Sequence, residues 1–159
     1  MGLDMYLEKC NRKMFGYRNI DVEEIKTTKP ELYEELKPYI VQRGKYCHWE
    51  SLFEEVGYWR KANAIHQWFV EKVQDGVDNC GQYEVEKEQI EELLELCKSV
   101  DADHRKAAIL LPTQSGFFFG STEYDEWYFE DIKNTIETLT KVLEETDFDR
   151  EMITYQSSW

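Results

Sequence analysis

The chain opens on an alternation. Leu3, Met5 and Leu7 fall on one side of an extended segment and Asp4, Tyr6 and Glu8 on the other, the period of two expected of a half-buried strand. Residues 11–28 are polar and mixed and predict a loop with a short element. Pro30 suits the first turn of a short helix through Leu36, because proline has no amide hydrogen to lose there. Pro38 and Gly44 end that region, and a short extended stretch follows at Tyr46-Cys47-His48-Trp49.

From Val56 to Val73 the pattern takes on a helical period. At about 100° per residue, Tyr58, Ala62, Ile65, Phe69 and Val73 share a face, with Trp59 and Val70 at its margin. Asp75-Gly76 stops this helix, and Tyr83-Glu84-Val85 reads as a short strand. A second helix starts at Glu88 and places Ile90, Leu93, Leu94 and Cys97 on one stripe. The run from Ala107 to Leu111 is apolar on both faces, which suits a buried strand or a packed helix end, and Pro112 closes it. Thr122, with Asp125 three residues on, predicts the N-cap of a third helix that turns Tyr128, Ile132, Thr135, Leu139, Val142 and Leu143 inward. From Met152 to Trp159 the alternation returns, with Ile153, Tyr155, Ser157 and Trp159 on one side. The pattern predicts an α+β fold in a single globular domain spanning 1–159. Its small antiparallel or mixed sheet, with the N- and C-terminal strands as neighbours, packs against three main helices at about 56–74, 88–99 and 122–146.

Composition narrows the partners. Five Trp, ten Tyr and eight Phe in 159 residues exclude a disordered acidic chain, which is poor in aromatics. The 33 acidic against 19 basic residues give a formal charge of −14, which repels duplex nucleic acid and anionic membranes at long range. Cys10, Cys47, Cys80 and Cys97 have no zinc-site spacing, and His48, His66 and His104 have neither HxH nor HExxH spacing, so no metal or cofactor is expected. Cys47 and His48 are not a catalytic dyad, since neighbours on an extended chain point to opposite faces. The opening residues lack a signal-peptide pattern and no run reaches the ~18 apolar residues of a membrane span, which predicts a cytoplasmic chain with reduced thiols.

Three groups of residues could carry chemistry. On the 56–73 segment, Trp59 could stack on a ring, Arg60 meet a phosphate and Asn63 hydrogen-bond a base or ribose edge, with His66 beside them; His66 by itself reads rather as a hydrogen-bonded core histidine. Gln114, Ser115, Gly116 and Phe117 begin a glycine-bounded aromatic loop, ending at Gly120, whose backbone could approach a ligand closely; the alternative is a hairpin whose phenylalanines fill the core. Tyr155 and Ser157 offer hydroxyls on the last strand, or simply complete a closing strand.

Four segments carry a resemblance. MGLDMYL at 1–7, VGYWRKANAIHQWF at 56–69, LPTQSGFFFGST at 111–122 and YQSSW at 155–159 together resemble a family of small acidic proteins encoded by phages and prophages, over the whole chain and in order. The resemblance carries no catalytic motif. It implies a bacterial host cytoplasm, where small phage proteins often disarm host defences. With the aromatic and cationic candidates, it suggests a non-catalytic protein that sequesters a small nucleotide-derived host signal, with homo-oligomerisation as an analogy. An acidic DNA mimic or inhibitor docking on a host defence protein is the alternative, and a small nucleotide hydrolase or transferase using His66 is a third.

Overall fold

The computed structural model describes residues 2–44 and 47–159, without the side chains of Cys47 and His48. In chain order the elements are β1 (Asp4–Asn11), α1 (Val22–Thr28), α2 (Pro30–Leu36), β2 (Val41–Gly44), β3 (Cys47–Ser51), β4 (Glu54–Arg60), α3 (Asn63–Lys72), β5 (Tyr83–Val85), α4 (Lys87–Ala102), α5 (Ala107–Leu110), α6 (Glu126–Glu145) and β6 (Glu151–Ser158). One four-stranded sheet runs in the order β4-β1-β6-β5, and β2 and β3 form a separate ribbon. Every pairing is antiparallel. The terminal strands are indeed neighbours: β1 pairs with β6 along its whole length, from Asp4 opposite Ser158 to Asn11 opposite Glu151. The architecture is α+β.

The sheet is covered differently on its two sides. Leu3, Met5, Leu7, Trp59, Ile153 and Tyr155 face α3, α4 and α6 and form the main apolar cluster with Ile65, Phe69, Leu93, Cys97, Ile132 and Leu139. On the other side Cys10 and Met152 join Met14, Val22, Ile25, Leu36, Leu52 and Phe53 in a second cluster beneath α1 and α2. Both clusters use β1 and β6, because successive residues of a strand point to opposite faces. The second cluster reaches only one end of the sheet, so Asp4, Tyr6 and Tyr58 at the other end lie outside it and none of them is buried.

Two helix boundaries differ from the sequence expectation. Residues 56–60 belong to β4, and the helix expected from 56 begins at Asn63. The alternation there decides it: Gly57 and Trp59 are buried while Tyr58 and Arg60 are exposed, a period of two. Gly57 also favours this choice, since glycine costs a helix interior about 1 kcal/mol. A β-carbon at Gly57 would lie 2.8 Å from Thr138 Cγ2, so its bareness lets α6 settle directly onto β4. Lys61 then turns the chain with a positive φ of 59°. The cap of α6 is Asp125, whose carboxylate accepts from the Tyr128 amide at 3.1 Å, and Thr122 lies outside the helix.

The remaining expectations fare well. Ile90, Leu93, Leu94 and Cys97 are all buried on α4, which a capping box between Glu86 and Gln89 starts. Tyr128, Ile132, Thr135, Leu139 and Val142 are buried on α6, with Leu143 half-buried at the margin. Ala107–Leu110 is helical, the second of its two readings. The short element within 11–28 is α1, capped by Asp21 on the amides of Glu23 and Glu24. Of the extended stretch expected at 46–49, Tyr46 lies outside the described residues, and β3 begins at Cys47.

Candidate functional site

The sequence candidates separate into three places. Trp59 is in the core, 2% exposed, and its indole N–H donates to Thr135 Oγ1 at 2.9 Å. Its side chain points toward α6 because Trp59 alternates with Arg60 on β4, so the expected ligand stacking by Trp59 is replaced by a packing role.

His66 is fully buried. Tyr155 donates its hydroxyl to Nδ1 at 2.7 Å, Nε2 lies 3.0 Å from an oxygen of Asp78, and the Trp159 indole donates to the other Asp78 oxygen at 3.1 Å. Burial holds the Tyr155 phenol well above its usual range, so it remains a donor. The imidazole then accepts at Nδ1 and donates from Nε2 to the carboxylate. The ring is therefore a satisfied core histidine, and no ligand in solvent reaches it. Tyr155 stacks on Phe69 with ring centroids 3.9 Å apart and is itself unexposed. Ser157 is 1% exposed, and its hydroxyl has no hydrogen-bond partner among the described residues.

Asn63 fastens the aromatic loop. Its amide nitrogen donates to the carbonyls of Phe119 and Ser121, both at 2.9 Å, and its oxygen accepts from the Gln114 amide at 3.0 Å. With these bonds made, both of its amide hydrogens are used and it organises the ends of the loop. Ser115, Gly116 and Phe117 form the exposed tip, Phe117 at 95%, while Phe119 folds back edge-on to His66.

Of the ten candidates, Arg60 and Asn63 line the cavity of about 280 Å³ that lies between the start of α3 and the start of α6. The loop's ends, Thr113 and Gly120, contribute to its wall, but Gln114–Phe117 do not. One wall is cationic. Arg60 and Lys61 line it, and among the described residues neither has a carboxylate within ion-pair distance, although most other bases on this acidic chain are paired. Lys61 is held in place by its backbone, whose N–H donates to Leu3 and whose carbonyl accepts from Asn63, and by Gly120 packed against its stem. The adjoining end of α3 has no side-chain cap. Ala64 and Ile65 line the cavity, and their backbone amides have no partner among the described residues, as at any uncapped helix start that could receive an anion.

The opposite wall comes from α6. Trp127 is 73% exposed and lines the cavity. Glu123, Glu130 and Asp131 stand beside it. Burial pushes the Asp131 carboxyl up to about 6, aided by the neighbouring charges of Glu130 and Asp125. Its oxygens make no hydrogen bond among the described residues. A cavity with unpaired cations on one side, an exposed indole and unbonded carboxyls on the other is complementary to a ligand with an anionic end and an aromatic, amine-bearing end.

A larger hollow of about 550 Å³ is bounded by Arg18, Asp21, Trp49 and Glu50, but its polar groups are mostly engaged. Arg18 pairs with Glu8 and Gln156, Asp21 caps α1, and Glu50 holds Lys26. Among the described residues there is no cluster of three or more His, Cys, Asp or Glu placed to hold a metal. No helix among them is long and apolar enough to cross a membrane.

Sequence reasoning missed Lys61, Trp127, Asp131 and Asp78. Trp127 carried a signal: it is an aromatic on the polar side of an otherwise regular amphipathic helix. Asp78 had none, since only the tertiary fold brings it to His66. Compared with protein-family models, with curated proteins and with solved structures, the chain matches none of them.

Proposed function

We propose that this protein captures a small nucleotide-derived ligand, without transforming it, in the cavity between α3 and α6. The observation that carries the reading is the pair of unneutralised cations, Arg60 and Lys61, in a cavity that also holds an exposed indole. A phosphate at Arg60, Lys61 and the free α3 amides would be met by charge and by N–H donors together. A base against Trp127 would gain the stacking that nucleotide sites draw on, and its amino group would face Glu130 and Asp131. Capture needs no nucleophile or general base at the cavity, and His66, the residue on which a hydrolase or transferase reading rested, is enclosed. The resemblance to phage proteins supplies a setting, in which the ligand is a signal made by the bacterial host. The acidic-mimic reading draws less support, because Glu91, Glu92 and Glu95 on the outer face of α4 are interleaved with Lys87, Lys72 and Lys98 in ion pairs.

Thermal melting against mononucleotides, cyclic di- and trinucleotides and ADP-ribose derivatives tests the reading. A ligand at ~100 times its dissociation constant adds about 2.7 kcal/mol of stability. The expected result is a melt shift that Arg60→Ala and Trp127→Ala each abolish, with the compound recovered intact after incubation. No shift across the panel would overturn capture, and a chemically altered compound would replace it with an enzyme.

A further inference from the structure

The end of the sheet outside the second apolar cluster adjoins the cavity at Arg60. Tyr6 on β1 lies opposite Tyr58 on β4, and Asp4 lies opposite Arg60. All four alternate with the core residues Met5 and Trp59 and so face away from the helices. The two tyrosine rings have centroids 5.5 Å apart and an interplanar angle of 49°, and Tyr58 is 42% exposed. The Tyr58 hydroxyl donates to Asp4, which fixes the ring. That bond, with desolvation behind it, pushes the Tyr58 phenol up to about 12, so it stays neutral at physiological pH. Arg60 follows two residues along the same strand face. Its guanidinium reaches back over Gly2, close enough to bear on Tyr58, and has no carboxylate partner among the described residues.

Arg60 therefore borders two aromatic surfaces: it lines the same cavity as Trp127, and its guanidinium lies near the Tyr6–Tyr58 pair on the sheet. We propose that the sheet face at Tyr6 and Tyr58 is a second base-stacking subsite, and that the captured ligand is a dinucleotide whose linking phosphate lies at Arg60. The inference rests on the capture reading and extends it from one base to two. The charge argument is specific to this site: an arginine that borders two ring surfaces, with no carboxylate partner among the described residues, is complementary to a phosphodiester between two splayed bases. Tyrosine rings on an open sheet face accept any base by its π-face, whereas Asp4, fixed by Tyr58, remains an acceptor for a base amino group. The same chemistry is offered by a free dinucleotide or by the end of a single strand.

Isothermal titration of the full chain with the four 5′-mononucleotides and the matching 3′,5′-linked homodinucleotides tests the proposal. At least one dinucleotide is expected to bind roughly ten- to a hundredfold more tightly than its mononucleotide, the contribution of one stacked base. Tyr58→Ala should bring that dinucleotide down to the affinity of the mononucleotide, and Tyr58→Phe, which keeps the ring, should retain the gain. Should Tyr58→Ala not fold, Tyr58→Leu, which keeps apolar cover but has no ring, is read in its place. Dinucleotides that bind no better than mononucleotides, or a gain that survives loss of the ring, would overturn the second subsite and leave single-base capture standing. Failure of every compound to bind would overturn both. A twelve-nucleotide single strand separates the sources: binding as tight as the dinucleotide's assigns the subsites to a strand end, and its exclusion assigns them to a free dinucleotide.

Discussion

Asp131 shows how one side chain links the cavity to stability. Its carboxyl is half-buried, lacks a hydrogen bond among the described residues and is pushed up to about 6. A carboxyl whose folded pKa exceeds its unfolded one binds more protons in the native state across the interval between the two. Folding stability therefore falls as pH rises from about 4 to about 6, and above that the charged form carries a penalty on the order of 2 kcal/mol. Asp131→Asn removes the titration. It is expected to raise stability at pH 7 by about 1–2 kcal/mol and to flatten the stability profile between pH 4 and 6, as read by urea denaturation at a series of pH values. A profile unchanged by the substitution would show that the carboxyl is hydrated. At this scale the sequence was only half legible. The core positions of β1, α4 and α6 followed from their periods, and Arg60 and Asn63 line a cavity. Trp59, His66 and Asn63 look like ligand groups because polar and aromatic side chains serve binding and interior bonding alike. Their partners, Thr135, Asp78 and the backbone of the 114–121 loop, are distant in sequence or held by tertiary packing alone.

The element that misled the pattern was the start of α3. Tyr58, Ala62, Ile65 and Phe69 fall on one helical stripe by coincidence of a strand running into a helix through two residues, Lys61, with positive φ, and Ala62. Lysine gives no warning of that conformation, which non-glycine residues rarely adopt. What the sequence did offer was Gly57, and its role is now specific. A β-carbon there would meet Thr138 Cγ2 at 2.8 Å, the Trp59 ring at 3.1 Å and Leu7 Cβ at 3.2 Å. Gly57→Ala is expected to destabilise by about 1–3 kcal/mol through overpacking between β4 and α6. Thr138→Ser deletes the closest methyl, so the double variant should recover part of the loss, giving a coupling energy in a double-mutant cycle by chemical denaturation. Additive effects would mean that α6 simply shifts away. Because Arg60 and Trp127 sit on these same two elements, such a shift would also widen the cavity, which connects this packing contact to ligand affinity.

For the molecule as a whole, the charge of −14 opposes the approach of any anion. The local arrangement opposes it less, since Arg60, Lys61 and the uncapped end of α3 lie together at one rim. These two influences have different ranges. Self-repulsion acts over the Debye length, which shrinks from about 30 Å at 0.01 M salt to about 8 Å at 0.15 M, whereas contact between phosphate and guanidinium inside a cavity is screened much less. Capture of a nucleotide is therefore expected to show an association rate constant that rises with salt over this interval, the reverse of steered association between opposite charges. The dissociation rate should change less. Stopped-flow measurement, with the intrinsic fluorescence of Trp127 as reporter and Trp127→Phe as the control for its signal, separates the two rates. An association rate that falls with salt would mean that the cationic rim projects its potential beyond the acidic surface and steers the ligand. A rise would mean that the fold confines its positive charge to the cavity and admits an anion only at short range, so that selectivity depends on the rings and donors within.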